Sequence, residues 1–137
     1  MESQHKVTES FVKSFLESRE LIRRLKEGSP IKVDGEVVRL PRFSEIQEAQ
    51  PVDFGAKGKQ DLIVAKARTA TWCVWPLNRR PKFQKKDGDA FMAILKAVEE
   101  SIPDKPVVGW VLTTGPIDDA VRTKMNEDGH RINRVPL

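Results

Sequence analysis

The run Val107-Val108-Gly109-Trp110-Val111-Leu112 constrains this chain more than any other feature, because it puts no charged side chain on either face that a strand presents. Such a strand is stable only when both of its faces are covered, so it belongs inside a sheet with packing layers on each side. The flanking sequence offers such cover. Phe91, Ile94, Leu95, Val98 and Ile102 recur at helical spacing after Asp87-Gly88-Asp89 and stop at Pro103. On the other side, Thr113-Thr114-Gly115-Pro116 leads into a last helix. Pro116 suits its first turn, Asp118 and Asp119 suit the positive end of its dipole, and Gly129 suits its stop. Residues 132–135 read as a short final strand.

Earlier in the chain, residues 8–27 read as an amphipathic helix with Thr8 as its N-cap. Phe11, Phe15, Ile22 and Leu25 form one stripe, Val12, Leu16 and Leu21 lie beside it, and Gly28-Ser29-Pro30 end it. Asp34-Gly35 offers the positive φ angles of a two-residue hairpin turn. That turn puts Ile31, Val33, Val38 and Leu40 on one face and Lys32, Val37 and Arg39 on the other. Residues 41–58 hold two prolines and two glycines and read as connection, with one helical turn around residues 44–49. Residues 62–65 and 69–74 are β-rich runs joined by Lys66-Ala67-Arg68, expected to pair antiparallel, and Pro76 is expected to end the second run or hold it at an edge.

The reading is therefore a single α/β (α+β) domain spanning residues 1–137, with a core from about residue 8 to 135 and a flexible stretch at residues 1–7. A central mixed sheet of about four to six strands is expected, flanked by three helices. No stretch approaches the roughly 20 apolar residues of a membrane-spanning helix, and the first residues lack the apolar run of a secretion signal. A cytoplasmic or otherwise intracellular protein is expected, with the nucleus open if the source is eukaryotic or viral. Cys73 is the sole cysteine, and His5 and His130 lie at opposite ends of the chain. No internal disulfide, metal site or cofactor is expected.

Net charge is a modest +4, but its distribution is uneven. Between Lys57 and Lys86 stand nine basic residues and a single acid, Asp61. The densest part, Arg79-Arg80-Pro81-Lys82-Phe83-Gln84-Lys85-Lys86, follows Trp72 and Trp75, and cations beside flat aromatic faces suit a phosphate backbone with unstacked bases. The candidate nucleic-acid-binding residues are Arg79, Arg80, Lys82, Lys85, Lys86, Lys57, Lys59, Arg68 and Trp75, with RNA and DNA not distinguished. A solvated basic loop and an acidic protein partner are the competing readings. The second would place an outward tryptophan and the odd-faced Val37 in a protein interface, such as that of a homo-oligomer.

Trp72 and Trp75 lie three apart and so face opposite sides of a strand, which makes at least one of them core. Trp110 reads as core, and Cys73 as a small buried apolar residue with no catalytic role. Gly55-Ala56-Lys57-Gly58-Lys59 lacks the spacing of a nucleotide-binding loop and reads as a flexible basic turn. No complete set of catalytic residues is present in the sequence pattern.

Taken together, Val111-Leu112-Thr113-Thr114, Ala120, Gly129-His130-Arg131-Ile132 and Gln60-Asp61-Leu62-Ile63-Val64 resemble the restriction-endonuclease-like nuclease superfamily, especially its Mrr-type members. The resemblance implies a helix before an antiparallel hairpin and two motif-bearing strands, then a buried strand running through a Thr-Thr turn into a helix. It casts Asp61 as the metal-binding aspartate. The strand after it should carry Glu-x-Lys, yet here it reads Thr71-Trp72-Cys73-Val74-Trp75-Pro76. The resemblance thus implies a catalytically degenerate member. A third reading, a metal-dependent nuclease with displaced partners for Asp61, stands beside the two binding readings.

Overall fold

Hydrophobic alternation along the middle strands decides the architecture. In the computed structural model, which describes residues 18–28, 30–33, 36–47, 50–53, 59–77 and 82–135, side chains on successive strand positions enter two separate cores. Helix α1 (Ser18–Glu27) is followed by the short strands β1 (Ile31–Val33), β2 (Glu36–Val38), β3 (Phe43–Ile46) and β4 (Gln50–Asp53). Then come β5 (Lys59–Ala67), β6 (Thr71–Leu77), helix α2 (Lys85–Ser101), β7 (Val107–Thr113), helix α3 (Asp119–Glu127) and β8 (Arg131–Arg134). The main sheet runs β3-β5-β6-β7-β8, and β4 pairs with another part of the β5 edge that β3 uses. β5 and β6 are antiparallel, whereas β6, β7 and β8 are parallel and are joined through α2 and α3. The described residues form a single α/β domain with a mixed sheet, a small hairpin and three helices.

Trp72, Val74, Trp110 and Leu112 point to one face, where they meet Leu21 and Leu25 of α1 and Ile31, Val33 and Val38 of the β1–β2 hairpin. Cys73, Trp75, Val111 and Ile132 point to the other, where Phe91 and Leu95 of α2 and Val121 and Met125 of α3 close over them. Strand β7 is thus covered on both faces, as its apolar run demands. Helix α2 packs tightly over Gly109: a Cβ built there would stand 2.6 Å from Leu95 Cδ1 and 2.8 Å from Phe91 Cε2. In the first core, the indole N–H of Trp110 donates to Asn133 Oδ1 at 2.8 Å, satisfying two polar groups that the sheet buries.

Hairpin register matches the alternation: Ile31 pairs with Val38 and Val33 with Glu36, so Val37 faces outward and is 56% exposed. Thr8 and the apolar positions at residues 11–16 lie outside the described residues, as does the Asp34-Gly35 turn itself.

Several expectations are corrected. Part of residues 41–58 is strand rather than connection, and residues 43–46 are extended where a helical turn was expected. Helix α2 starts at Lys85, ahead of Asp87-Gly88-Asp89, because Asp87 Oδ2 accepts the Gln84 backbone N–H at 2.8 Å and caps the turn from inside it. Helix α3 is capped by Asp118, whose Oδ2 accepts from Val121 N, so Pro116 precedes the helix instead of entering its first turn. Gly129 ends α3 with φ +83°, as a left-handed stop.

Pro76 neither ends β6 nor sits at a sheet edge: pairing with β7 continues to Leu77↔Thr113. The backbone explains why. Thr71 N donates to Pro106 O and Leu77 O accepts from Thr114 N, so the odd residues of β6 turn their polar groups toward β7. The nitrogen of Pro76 therefore points toward β5, where the paired register has already ended at Val74.

Candidate nucleic-acid interface

Every described candidate cation but one belongs to the end of the sheet where the parallel strands terminate. Lys82 follows β6, Lys85 and Lys86 open α2, and all three are exposed. Because β5 runs antiparallel to β6, the backbone of Lys59 at the start of β5 lies at this same end. The entries of the two helices are tied together. Phe83 N donates to Pro116 O and Asp118 N donates to Phe83 O, a parallel bridge that ties the entry of α2 to the entry of α3. That tie sets Lys82 Nζ 3.8 Å from Asp118 Oδ1. With both side chains substantially exposed, such a pair contributes at most about 1 kcal/mol.

Other candidates are not brought together with these. Arg68 is exposed in the turn between β5 and β6, at the far end of the sheet, about 20 Å away along the seven residues of β6 at some 3.3 Å per step. The expected single patch therefore excludes Arg68. The neighbouring Lys66 turns its ammonium to Glu45 at 3.4 Å, a salt bridge between two strands. Lys57, Arg79 and Arg80 lie outside the described residues.

Trp75 is corrected outright as a base-stacking surface. It is 0% exposed, its ring packs 5.8 Å from Phe83 and 5.5 Å from Phe91, and its indole N–H is directed to Gln60 Oε1 at 3.4 Å. Trp72 is buried as well, edge-on to both Phe43 and Trp110. Neither indole faces solvent, because α2 covers one face of β6 while α1 and the hairpin cover the other.

Asp61 is exposed at the start of β5, and the antiparallel register carries it to the level of Pro76. The β6 positions beside it, Val74 and Trp75, are fully buried apolar residues. Among the described residues no group of three or more His, Cys, Asp or Glu side chains is placed to hold a metal ion. Cys73 is buried, and loss of hydration pushes its thiol up to about 12, so the thiolate nucleophile is not populated near neutral pH. His130 Nδ1 accepts the Gly109 backbone N–H at 2.9 Å, which fixes the neutral tautomer with the proton on Nε2. Burial lowers its pKa, while Asp128 and Glu99 oppose the shift.

The structure adds a feature at this end: a cleft of about 320 Å³ between the first turns of α2 and the length of α3. Gly88, Met92, Val121 and Met125 form its apolar surface, and Lys85, Asp89, Lys124 and Asp128 stand among the charged groups that line it. Gly88 permits the helices to approach, since a Cβ there would lie 3.2 Å from Val121 Cγ1. The sequence holds a faint trace of this in the i,i+4 pairs Gly88/Met92 and Val121/Met125, but each pair reads equally well as core facing.

Compared with known proteins, the chain matches no family model, and neither a curated protein nor a solved structure is similar to it at a significant level. Among the described residues no helix is long and apolar enough to cross a membrane.

Proposed function

We propose that this protein binds nucleic acid without cleaving it, through the end of the sheet that carries Lys82, Lys85 and Lys86. The observation that supports the reading most is the exposure of Lys82, Lys85 and Lys86 together at the entry of α2, where Lys82 has one exposed ion pair with Asp118 and the acid nearest in sequence, Asp87, is buried inside the α2 cap. Exposed cations gathered in one short stretch engage a phosphate backbone by releasing its condensed counterions. The nuclease-like resemblance fits this reading as a scaffold whose β6 positions beside Asp61 are given to packing.

The test is the salt dependence of binding to a single-stranded oligonucleotide. Three phosphate contacts predict a slope of log K against log salt of about −2, and two more from Arg79 and Arg80 would bring it to about −3.5. A flat dependence, or no binding at low salt, ends the reading. One observation favours a second reading, a protein-interaction surface or homo-oligomer centred on the hairpin: Val37 is a large apolar side chain left 56% exposed. Sedimentation showing a stable oligomer indifferent to oligonucleotide, and lost in Val37→Lys, would favour it.

A further inference from the structure

We infer that the α2–α3 cleft is a pocket for a single unstacked nucleobase, selective for bases that carry an exocyclic amino group. The inference rests on the nucleic-acid reading above and deepens it. With Trp75 and Trp72 inside the cores, the described part of the basic rim offers no aromatic platform, so an extruded base needs another apolar surface. The cleft supplies one beside the cations: Lys85 belongs both to the exposed basic rim and to the cleft lining, and Lys82 lies against Asp118 at its edge. Its volume of about 320 Å³ falls at the lower end of the range for small-molecule sites, about 300 to 1,000 Å³, which suits one base and its sugar.

The chemistry of the lining divides to match the three parts of a nucleotide. Met92 presents a partly exposed thioether side chain, of the kind that makes favourable contacts with aromatic rings, and the nearly buried Val121 and Met125 form the floor of the slot. Lys85 and Lys124 are available to a phosphate. Asp89, Asp118 and Asp128 are acceptor-only groups at the same opening, suited to the amino groups of cytosine, adenine or guanine. A purely anion-binding site would exclude these carboxylates, and a purely apolar ligand would leave them without a role.

The experiment uses the full chain with ¹³C-methyl-labelled methionine, titrated with adenosine 5′-monophosphate, uridine 5′-monophosphate and ribose 5-phosphate. In parallel, binding of an oligo-adenylate is compared with that of an abasic oligonucleotide of equal length. Adenosine monophosphate is expected to shift the Met92 and Met125 methyl signals, with uridine monophosphate at least tenfold weaker and ribose phosphate silent. Ala120→Trp is the blocking variant: Ala120 is exposed and lines the cleft, so the indole fills the slot without entering a core. It should abolish the methyl shifts and weaken oligo-adenylate about tenfold while leaving the melting temperature unchanged. The paired variant Asp89→Asn, Asp128→Asn should bring the two nucleotides to similar affinity. If the methyl signals stay still and Ala120→Trp binds oligo-adenylate like the parent, the pocket inference fails while the nucleic-acid reading stands. If neither oligonucleotide binds at low salt, both fail.

Discussion

Gly109→Ala tests how α2 is seated on the sheet. Gly109 lies in an extended strand, so alanine is conformationally acceptable, and the smaller entropy of the unfolded chain would by itself stabilise the variant by about 0.4–1 kcal/mol. Against that stands the overlap of the new methyl with Leu95 Cδ1 at 2.6 Å and Phe91 Cε2 at 2.8 Å. Both are tips of side chains, which would give way easily on a surface. Here Phe91 is fully buried with its ring 5.5 Å from that of Trp75, so its tip has little space to yield, while Leu95, 3% exposed, borders a surface cleft on one side. Overpacking of a closed core costs about 1–3 kcal/mol, which leaves a net loss near 1–2 kcal/mol. Urea unfolding read by tryptophan fluorescence should show a lower midpoint at constant slope. In Leu95→Val the space reopens, so the two substitutions together should cost about 1 kcal/mol less than their sum. A neutral or stabilising Gly109→Ala, or strict additivity with Leu95→Val, would refute this seating of the helix.

Asn133→Leu should cost about 1–3 kcal/mol, because it leaves the indole N–H of Trp110 buried without its acceptor, and calorimetry should register a fall in melting temperature. His130 has a folded-state pKa below its usual value of 6.5, so the unfolded chain takes up a proton first as pH falls. Its contribution is present above 6.5 and is lost as pH drops toward the folded value. Urea midpoints measured from pH 8 to pH 5 should decline over that window, and His130→Ala should flatten the decline. The Cys73 thiol should resist a disulfide reagent at pH 8 in the native state and react at the rate of unfolding, since it is buried and its pKa is raised to about 12.

Much of the fold is legible in sequence because the apolar pattern and the stop signals agree. The run at residues 107–112, the helical spacing from Phe91 to Val98 and the alternation about Asp34-Gly35 each specify one arrangement, and each appears as expected. Residues 43–46 are less legible because Phe43 and Ile46, three apart, share one face of a helix, whereas a regular strand would split them; a register shift between Phe43 and Glu45 lets both pack on the first core. Pairing with β5 decides between them. Pro76 shows the same limit: its effect depends on which neighbour its missing N–H faces, a property of the sheet and not of the residue. For the site, sequence identifies the cations but not their separation. Arg68 and Lys82 look like members of one basic stretch until β6 carries them to opposite ends of the sheet. Trp75 looks like an interface residue because three-residue spacing guarantees opposite faces but says nothing about whether both are covered.

Helix α2 divides into two parts with different work, and this makes the site testable apart from the fold. Phe91 and Leu95, one turn apart, anchor the helix at Gly109, and Asp87 closes its first turn from within the core. Lys85 and Lys86 lie in that same turn but outside the core, and Lys82 adds only one exposed ion pair. Replacing all three lysines with alanine should therefore change stability by about 1 kcal/mol or less while removing most oligonucleotide affinity. Asp87→Ala should do the reverse, destabilising by about 1 kcal/mol or more through the lost cap while leaving affinity per folded molecule close to that of the parent. Thermal melting and oligonucleotide titration on the same two variants would separate these effects. If the lysine variant unfolds, or the Asp87 variant stays stable and loses binding, the division of α2 into an anchored core face and an exposed cationic rim is wrong.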